Sequence, residues 1–255
     1  FVEAAKRAGE QNVKLTAQTV YPLKKGKTVV TINGNGVNDR LDTDFSWRIM
    51  TDRAYKGTID LSTLFRRGSD DGLAAHIDIN PTELVFNDTI WQVKPASVNI
   101  DGGVIAVNNV SGVCDNQRVE IQGLVSKNQS DVLMVNLKEM SLDYVFETLG
   151  IDNVMFGGIA TGKFFASGLL SGAPVLETPG LQVDRIAYNK CVMGDALIRS
   201  NWDNDTKAIN LHADIDQDNG LRSVITGAIY PTRDSLSINF DAHKAKLGLL
   251  QRFMS

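Results

Sequence analysis

Apolar and polar residues take turns along most of this chain. Phe45, Trp47 and Ile49 alternate with Ser46 and Arg48, Ala75, Ile77 and Ile79 with His76 and Asp78, and Val98 and Ile100 with Ser97 and Asn99. Further on, Val119 and Ile121 alternate with Glu120 and Gln122, and Ile209, Leu211, Ala213 and Ile215 with Asn210, His212 and Asp214. Leu236, Ile238 and Phe240 alternate with Ser237 and Asn239. A strand turns successive side chains to opposite faces, so each run gathers its apolar set on one face and wets the other. One-sided strands belong to antiparallel sheets. Turn chemistry separates the runs at Asn33-Gly34, Asn35-Gly36, Ser69-Asp70-Asp71-Gly72, Asp101-Gly102-Gly103, Asn201 through Asp205, and Asp218-Asn219-Gly220. The pattern predicts about a dozen short strands. Helical candidates are few and short: Phe1 to Glu10, Leu61 to Arg67, Ser141 to Leu149, and Ala245 to Phe253. They are too short to cover such a sheet.

A second regularity is repetition. Ile121-Gln-Gly123, then Asp131-Val-Leu133-Met-Val135, then the helix candidate at Ser141, has a counterpart in Ile225-Thr-Gly227, Asp234-Ser-Leu236-Ser-Ile238 and the helix candidate ending at Phe253. Such spacing reads as an internal repeat of about a hundred residues, each unit stacking on its neighbours. The expected organisation is a partial repeat over 1–54, one β-rich unit over 55–150 and a second over 151–255, each unit closing with a short helix.

Composition agrees. The chain has 255 residues, 43% hydrophobic and 22% charged, enough to bury a core. Val, Ile and Thr supply 57 residues, and Asp outnumbers Glu 23 to 7, which favours strands and turns over helices. A net charge of −4 without a long basic run leaves no electrostatic footprint for nucleic acid. The apolar stretch from Phe164 to Leu176 is short and broken by Gly168, Gly172 and Pro174, so it predicts no membrane-spanning helix. The chain opens Phe-Val-Glu, without an initiator Met or signal peptide, and reads as a piece of a longer protein. Cys114 and Cys191 stand in no Cys-x-x-Cys motif and suit either two packed thiols or one disulfide.

No catalytic set emerges, and a non-enzymatic protein without a cofactor is expected. Asp214-Ile-Asp216-Gln-Asp218-Asn219-Gly220 fails as a calcium loop, since Asn219 stands where Gly is needed and Ile225 where a bidentate Glu is needed. His76, His212 and His243 have no second His or Cys at ligand spacing, so no metal site is expected. Ser167 and Ser171 form no nucleophile elbow, and Gly34-x-Gly36 precedes no helix and reads as a turn. The sequons at Asn87, Asn109, Asn128 and Asn204 matter only in a glycosylating compartment. Trp47, Trp91 and Trp202 read as core or rim anchors.

What remains is the apolar face itself. It comprises Ile77, Ile79, Val98, Ile100, Ile121, Leu133, Val135, Leu211, Ile215, Ile225, Ile238 and Phe240. Hiding such a face from water is worth roughly 25 cal/mol per Å² of apolar area, so something must cover it. A second sheet in a sandwich is one cover, and an apolar ligand held in a curl is another. By residue type alone these positions read as core. An aliphatic lining without placed polar anchors suits an acyl chain better than a selective small molecule.

The chain also resembles a known family. Leu84-Val-Phe-Asn-Asp-Thr-Ile-Trp91, Val98-Asn-Ile100, Val119 to Gly123 and Asp131 to Leu137 follow one another as in the translocation and assembly module TamB of the Bacteroidetes type, within the AsmA-like superfamily. Gly157-Gly158-Ile-Ala-Thr-Gly162, Pro174-Val-Leu176, Leu181-Gln-Val183, Gly194-Asp195-Ala196, Trp202, Ile225-Thr-Gly227 and Asp234-Ser-Leu236 continue the order over roughly residues 55 to 255. The resemblance implies an elongated, curled antiparallel sheet, or β-taco, with an apolar groove. It implies a periplasmic segment of a parent anchored in the inner membrane and acting in outer-membrane biogenesis. The implied partners are phospholipid, an Omp85-type outer-membrane barrel and neighbouring repeats of the parent chain. The twelve apolar positions then become a lipid-contacting groove. The alternative is a structural or adhesive β-sandwich at the cell surface with a dry core.

Overall fold

Strand periodicity governs the protein almost from end to end. A computed structural model describes residues 2–7, 10–23, 26–50, 54–86, 88–143, 156–188, 191–217, 220–230 and 235–242, nearly all of them in eighteen strand segments. The expected all-β, antiparallel class is the one observed. The chain divides into two units, Phe1–Asp115 with Glu120–Leu124, and Asn116–Val119 with Val125–Ser255.

In the first unit β1 (Val2–Arg7), β2 (Glu10–Leu23), β3 (Gly26–Val37), β4 (Arg40–Met50) and β5 (Ala54–Arg67) form an antiparallel meander. Next to β5 lie β6 (Leu73–Ile79) and β7 (Thr82–Phe86), placed end to end so that Leu61 faces Ile79 and Gly57 faces Leu84. Then β8 (Thr89–Val93) and β9 (Ala96–Asp101) pair with β7 and β6, and β10 (Val104–Cys114) pairs with both. Each end-to-end pair is one long strand broken once, at Asn80-Pro81 and at Lys94-Pro95. Proline has no N–H to give a ladder, so the break falls where the chain cannot donate. Counted this way the eighteen segments are sixteen strands. A tight turn closes β9 onto β10: Gly102 and Gly103 have φ of 54° and 76°, the all-positive pair that suits a two-residue hairpin.

In the second unit β12 (Val132–Ser141), β13 (Phe156–Ser167), β14 (Val175–Tyr188), β15 (Cys191–Asp203), β16 (Ala208–Asp216), β17 (Arg222–Tyr230) and β18 (Ser235–Ala242) pair in sequence order. Register shifts interrupt β12 to β15, between Leu137 and Met140, Gly157 and Ile159, and Val183 and Ile186 among others. Bulges of this kind bend a strand and increase its twist. The core of this unit is Ala160, Leu181, Val183, Ile186, Met193, Ala196 and Ile215. Strand β11 (Gln117–Val125) contributes residues to each unit.

Several local expectations are corrected. Within the helix expected from Phe1 to Glu10, Val2–Arg7 is strand β1 and Glu10 opens β2, residues 1, 8 and 9 lying outside the described residues, and the helix expected from Leu61 to Arg67 lies inside β5. Leu61, Leu64 and Phe65 fit a helical spacing, but β5 has ladders on both sides with β4 and β6, and pairing imposes the period of two. Of the helix expected from Ser141 to Leu149, Ser141 ends strand β12, Leu142 and Asp143 are helical, and residues 144–149 lie outside the described residues, as does the stretch from Ala245 to Phe253. The strands are more numerous and longer than expected, reaching 14 residues in β2, β5 and β14. Asn33-Gly34 and Asn35-Gly36 do not turn. They run straight through β3, where a Cβ on Gly34 would sit 3.3 Å from Leu41 Cδ1 and 3.4 Å from Leu15 Cβ. These glycines make room for leucines of the flanking strands, and the chain turns instead at Asn38 (φ 56°).

Candidate functional site

Residues directly opposed in an antiparallel ladder point to the same face, so the registers define the apolar surface. In the first unit one row crosses five strands through Leu41, Thr63, Ile77, Val98 and Val107. Beside it run Leu61, Ile79 and Ala96 on one flank, and Phe65, Ala75, Ile100 and Ile105 on the other. Four expected lining residues, Ile77, Ile79, Val98 and Ile100, thus meet in one patch, and all four are half-buried. The patch continues to an aromatic end. There Trp47, Gly57, Leu84 and Trp91 form a row, and the Trp47 ring lies 5.9 Å from Phe45 and 5.9 Å from Phe86. Gly57 is a space requirement: a Cβ there would come within 2.7 Å of Leu84 Cδ2 and of the Trp47 ring.

Leu41, Leu61, Phe65, Ile105 and Val107 join this face beyond the residues expected from alternation. The helical spacing of Leu61 and Phe65 conceals their place on a strand. The run Val104-Ile-Ala-Val107 does not alternate, so only its register with β9 reveals which members share the face. The face is also more aromatic than an aliphatic lining implied.

The second unit has two comparable rows. Leu137, Gly162, Leu181, Ile198, Ala213 and Ile225 form one, and Met140, Ala160, Val183, Ala196, Ile215 and Ser223 the other. Leu133 and Val135 extend the face along β12, opposite Ala166 and Phe164, and Leu211 along β16, opposite Gly227. Leu133, Val135, Leu211 and Ile225 are half-buried. Ile215 differs: at 1% exposure it is enclosed, as is Val183. The small side chains of Ala160, Ala196 and Ser223 flank these two in the ladder. Ile215 is therefore core. Ile238 and Phe240 occupy register positions opposite Gly227 and Ile225 in β18, and their side chains lie outside the description. Ile121 is half-buried in β11.

The opposite faces are polar. His76 on β6 and His212 on β16 each place Nε2 3.2 Å from the carboxylate two residues on, Asp78 and Asp214. Asp214 meets three basic side chains, Arg199, His212 and Arg222. Its carboxylate accepts from Arg199 Nη1 at 2.9 Å and stands 2.8 Å from Arg222 Nη2, while its side chain is 12% exposed. Burial pushes its pKa up, but the hydrogen bonds from Arg199 and His212 and the charge of Arg222 outweigh burial and hold the carboxyl below its usual range. Asp214 and Asp216, the first two acids of the stretch that fails as a calcium loop, thus stand against cations of the neighbouring strands. Among the described residues no three His, Cys, Asp or Glu side chains converge as metal ligands do. Both cysteines are free thiols, and burial together with the adjacent Asp115 raises the pKa of Cys114.

No helix among the described residues is long and apolar enough to cross a membrane. Compared with known proteins, the chain matches no family model, no curated protein and no solved structure.

Proposed function

We propose that this chain is a shielding surface for acyl chains, a segment of a TamB-like periplasmic protein that serves outer-membrane biogenesis without catalysing a reaction. The observation that supports this reading is the five-strand apolar row of the first unit. Leu41, Thr63, Ile77, Val98 and Val107 follow one another across five strands of a single sheet, and the four aliphatic members are half-buried rather than enclosed. A surface of this kind gains by contact with any hydrocarbon, in proportion to the area covered and without directional bonds. Transfer along it would be passive.

A second reading rests on the other unit. Val183 and Ile215 are fully enclosed, as in a dry scaffold, and a scaffold carries no lipid. Native mass spectrometry of the protein purified from membranes discriminates the two. The carrier should arrive with bound phospholipid. Ile77→Asp and Val98→Asp should each abolish that lipid while the circular dichroism stays β-rich, because the positions are already half open to water. Protein that arrives free of lipid from several extractions would leave the scaffold reading standing alone.

A further inference from the structure

The back of the same strands carries a second feature. A hollow of about 710 Å³ opens on the first unit, within the size range of small-molecule sites. Its lining residues fall into two ladder rows. Arg48 on β4 directly faces Lys56 on β5, and Lys56 faces Val85 on β7; in the next row Ser46 faces Thr58. These positions alternate with Trp47 and Gly57, so they belong to the face opposite the apolar one.

Two features of this arrangement ask for an anion. Like charges placed directly across an antiparallel ladder repel each other. Arg48 and Lys56 are so placed, both are exposed, and neither has an ion-pair or hydrogen-bond partner among the described residues. The hydroxyls of Ser46 and Thr58 are likewise free to donate. Glu83, the one carboxylate in the lining, is turned to Gln92, whose Nε2 donates to it at 2.7 Å. The third component is apolar: Val85 and Ile90 face each other in the lining, and Ile90 is 52% exposed.

We propose that this hollow binds a phosphate monoester carrying an apolar substituent. A doubly charged phosphate answers two cations, where a carboxylate would answer one, and the guanidinium fork of Arg48 can bond two phosphate oxygens. Val85 and Ile90 take the substituent. The site faces away from the acyl-shielding surface, so it does not depend on that function.

Isothermal titration calorimetry on the whole chain tests it, with octyl phosphate, inorganic phosphate and octyl glucoside as probes below micelle concentrations. Octyl phosphate should bind at least about tenfold more tightly than octyl glucoside and inorganic phosphate, since it alone uses both halves of the site. Arg48→Gln and Lys56→Gln should each weaken it about tenfold, and Glu83→Gln should tighten it by removing the one carboxylate in the lining. Lys163→Gln, an exposed change on β13, should leave binding as it was and controls for net charge. Binding indifferent to Arg48→Gln and Lys56→Gln in variants with unchanged circular dichroism overturns the proposal, as does octyl phosphate binding no better than octyl glucoside. Flotation with phosphatidylcholine vesicles containing phosphatidic acid then separates the sources. Capture that is lost in Arg48→Gln identifies a lipid headgroup, and absence of capture alongside octyl phosphate binding identifies a soluble monoester.

Discussion

Pro81 and Pro95 interrupt two neighbouring strands at the same level. The ladder runs from Ile79 opposite Ala96 to Thr82 opposite Val93, and the two prolines fall in the gap between these pairs. The residues before them donate outward, Asn80 to Asp60 O at 3.0 Å and Lys94 to Ser111 O at 2.9 Å. Since successive residues of a strand alternate in the direction of their amides, both proline nitrogens face the shared gap. The missing donors of two strands thus coincide in one place, and the ladder with β5 shifts its register by one residue across it, from Leu61 opposite Ile79 to Gly57 opposite Leu84.

This placement predicts unusual tolerance. Pro81→Ala should change stability by no more than about 1 kcal/mol, because no bond in the sheet uses that nitrogen. Ile77→Pro, four residues earlier and inside a paired stretch, should cost about 3 kcal/mol or more. Urea unfolding midpoints of the two variants measure the contrast. A large loss in Pro81→Ala would mean that the proline itself holds the two half-strands in line.

Gly57 supplies a second prediction. A side chain there must displace Trp47 or Leu84, so Gly57→Val should destabilise the first unit by about 1–3 kcal/mol and shift the tryptophan emission. Gly172→Val is the control. A Cβ at Gly172 meets nothing within 4 Å, and the change should stay within about 0.5 kcal/mol. Equal effects at the two glycines would show that the close approach of Trp47 has no energetic weight.

The ion cluster around Asp214 makes stability depend on pH. A carboxyl held below its unfolded value binds its proton less readily in the folded state, so it adds stability at pH above about 3.9 and loses that contribution as pH falls through the lowered folded value. Asp214→Asn should therefore be less stable than the parent at pH 7, and the difference should shrink below about pH 4. Guanidinium would screen the effect, so urea unfolding at a series of pH values is the suitable measurement. A difference that is constant from pH 7 to pH 3 would remove Arg199, His212 and Arg222 as its cause.

Much of the architecture is legible in the sequence because its signal is local. Alternation over Ala75 to Ile79 or Ile209 to Ile215 is enough to assign a strand and name its two faces, and Asp101-Gly102-Gly103 is enough to assign a hairpin turn. Where local signals compete, they mislead. Leu61 to Arg67 has a helical spacing and Asn33-Gly34 has turn chemistry, yet both run straight inside strands paired on each side.

Of this protein, the order of residues alone determined the β class, the antiparallel habit and the apolar membership of each strand, since these follow from a period of two that every strand expresses by itself. Tertiary structure decided which apolar positions meet. Ile77 and Ile215 look alike in sequence, each the apolar half of an alternating run, but one is half open and the other enclosed. Burial depends on the neighbours that register brings from the next strands, and a shift of one residue in that register would exchange the faces. The same holds for the hollow at Arg48 and Lys56: they are eight positions apart in the chain, and only the ladder sets the two cations opposite each other.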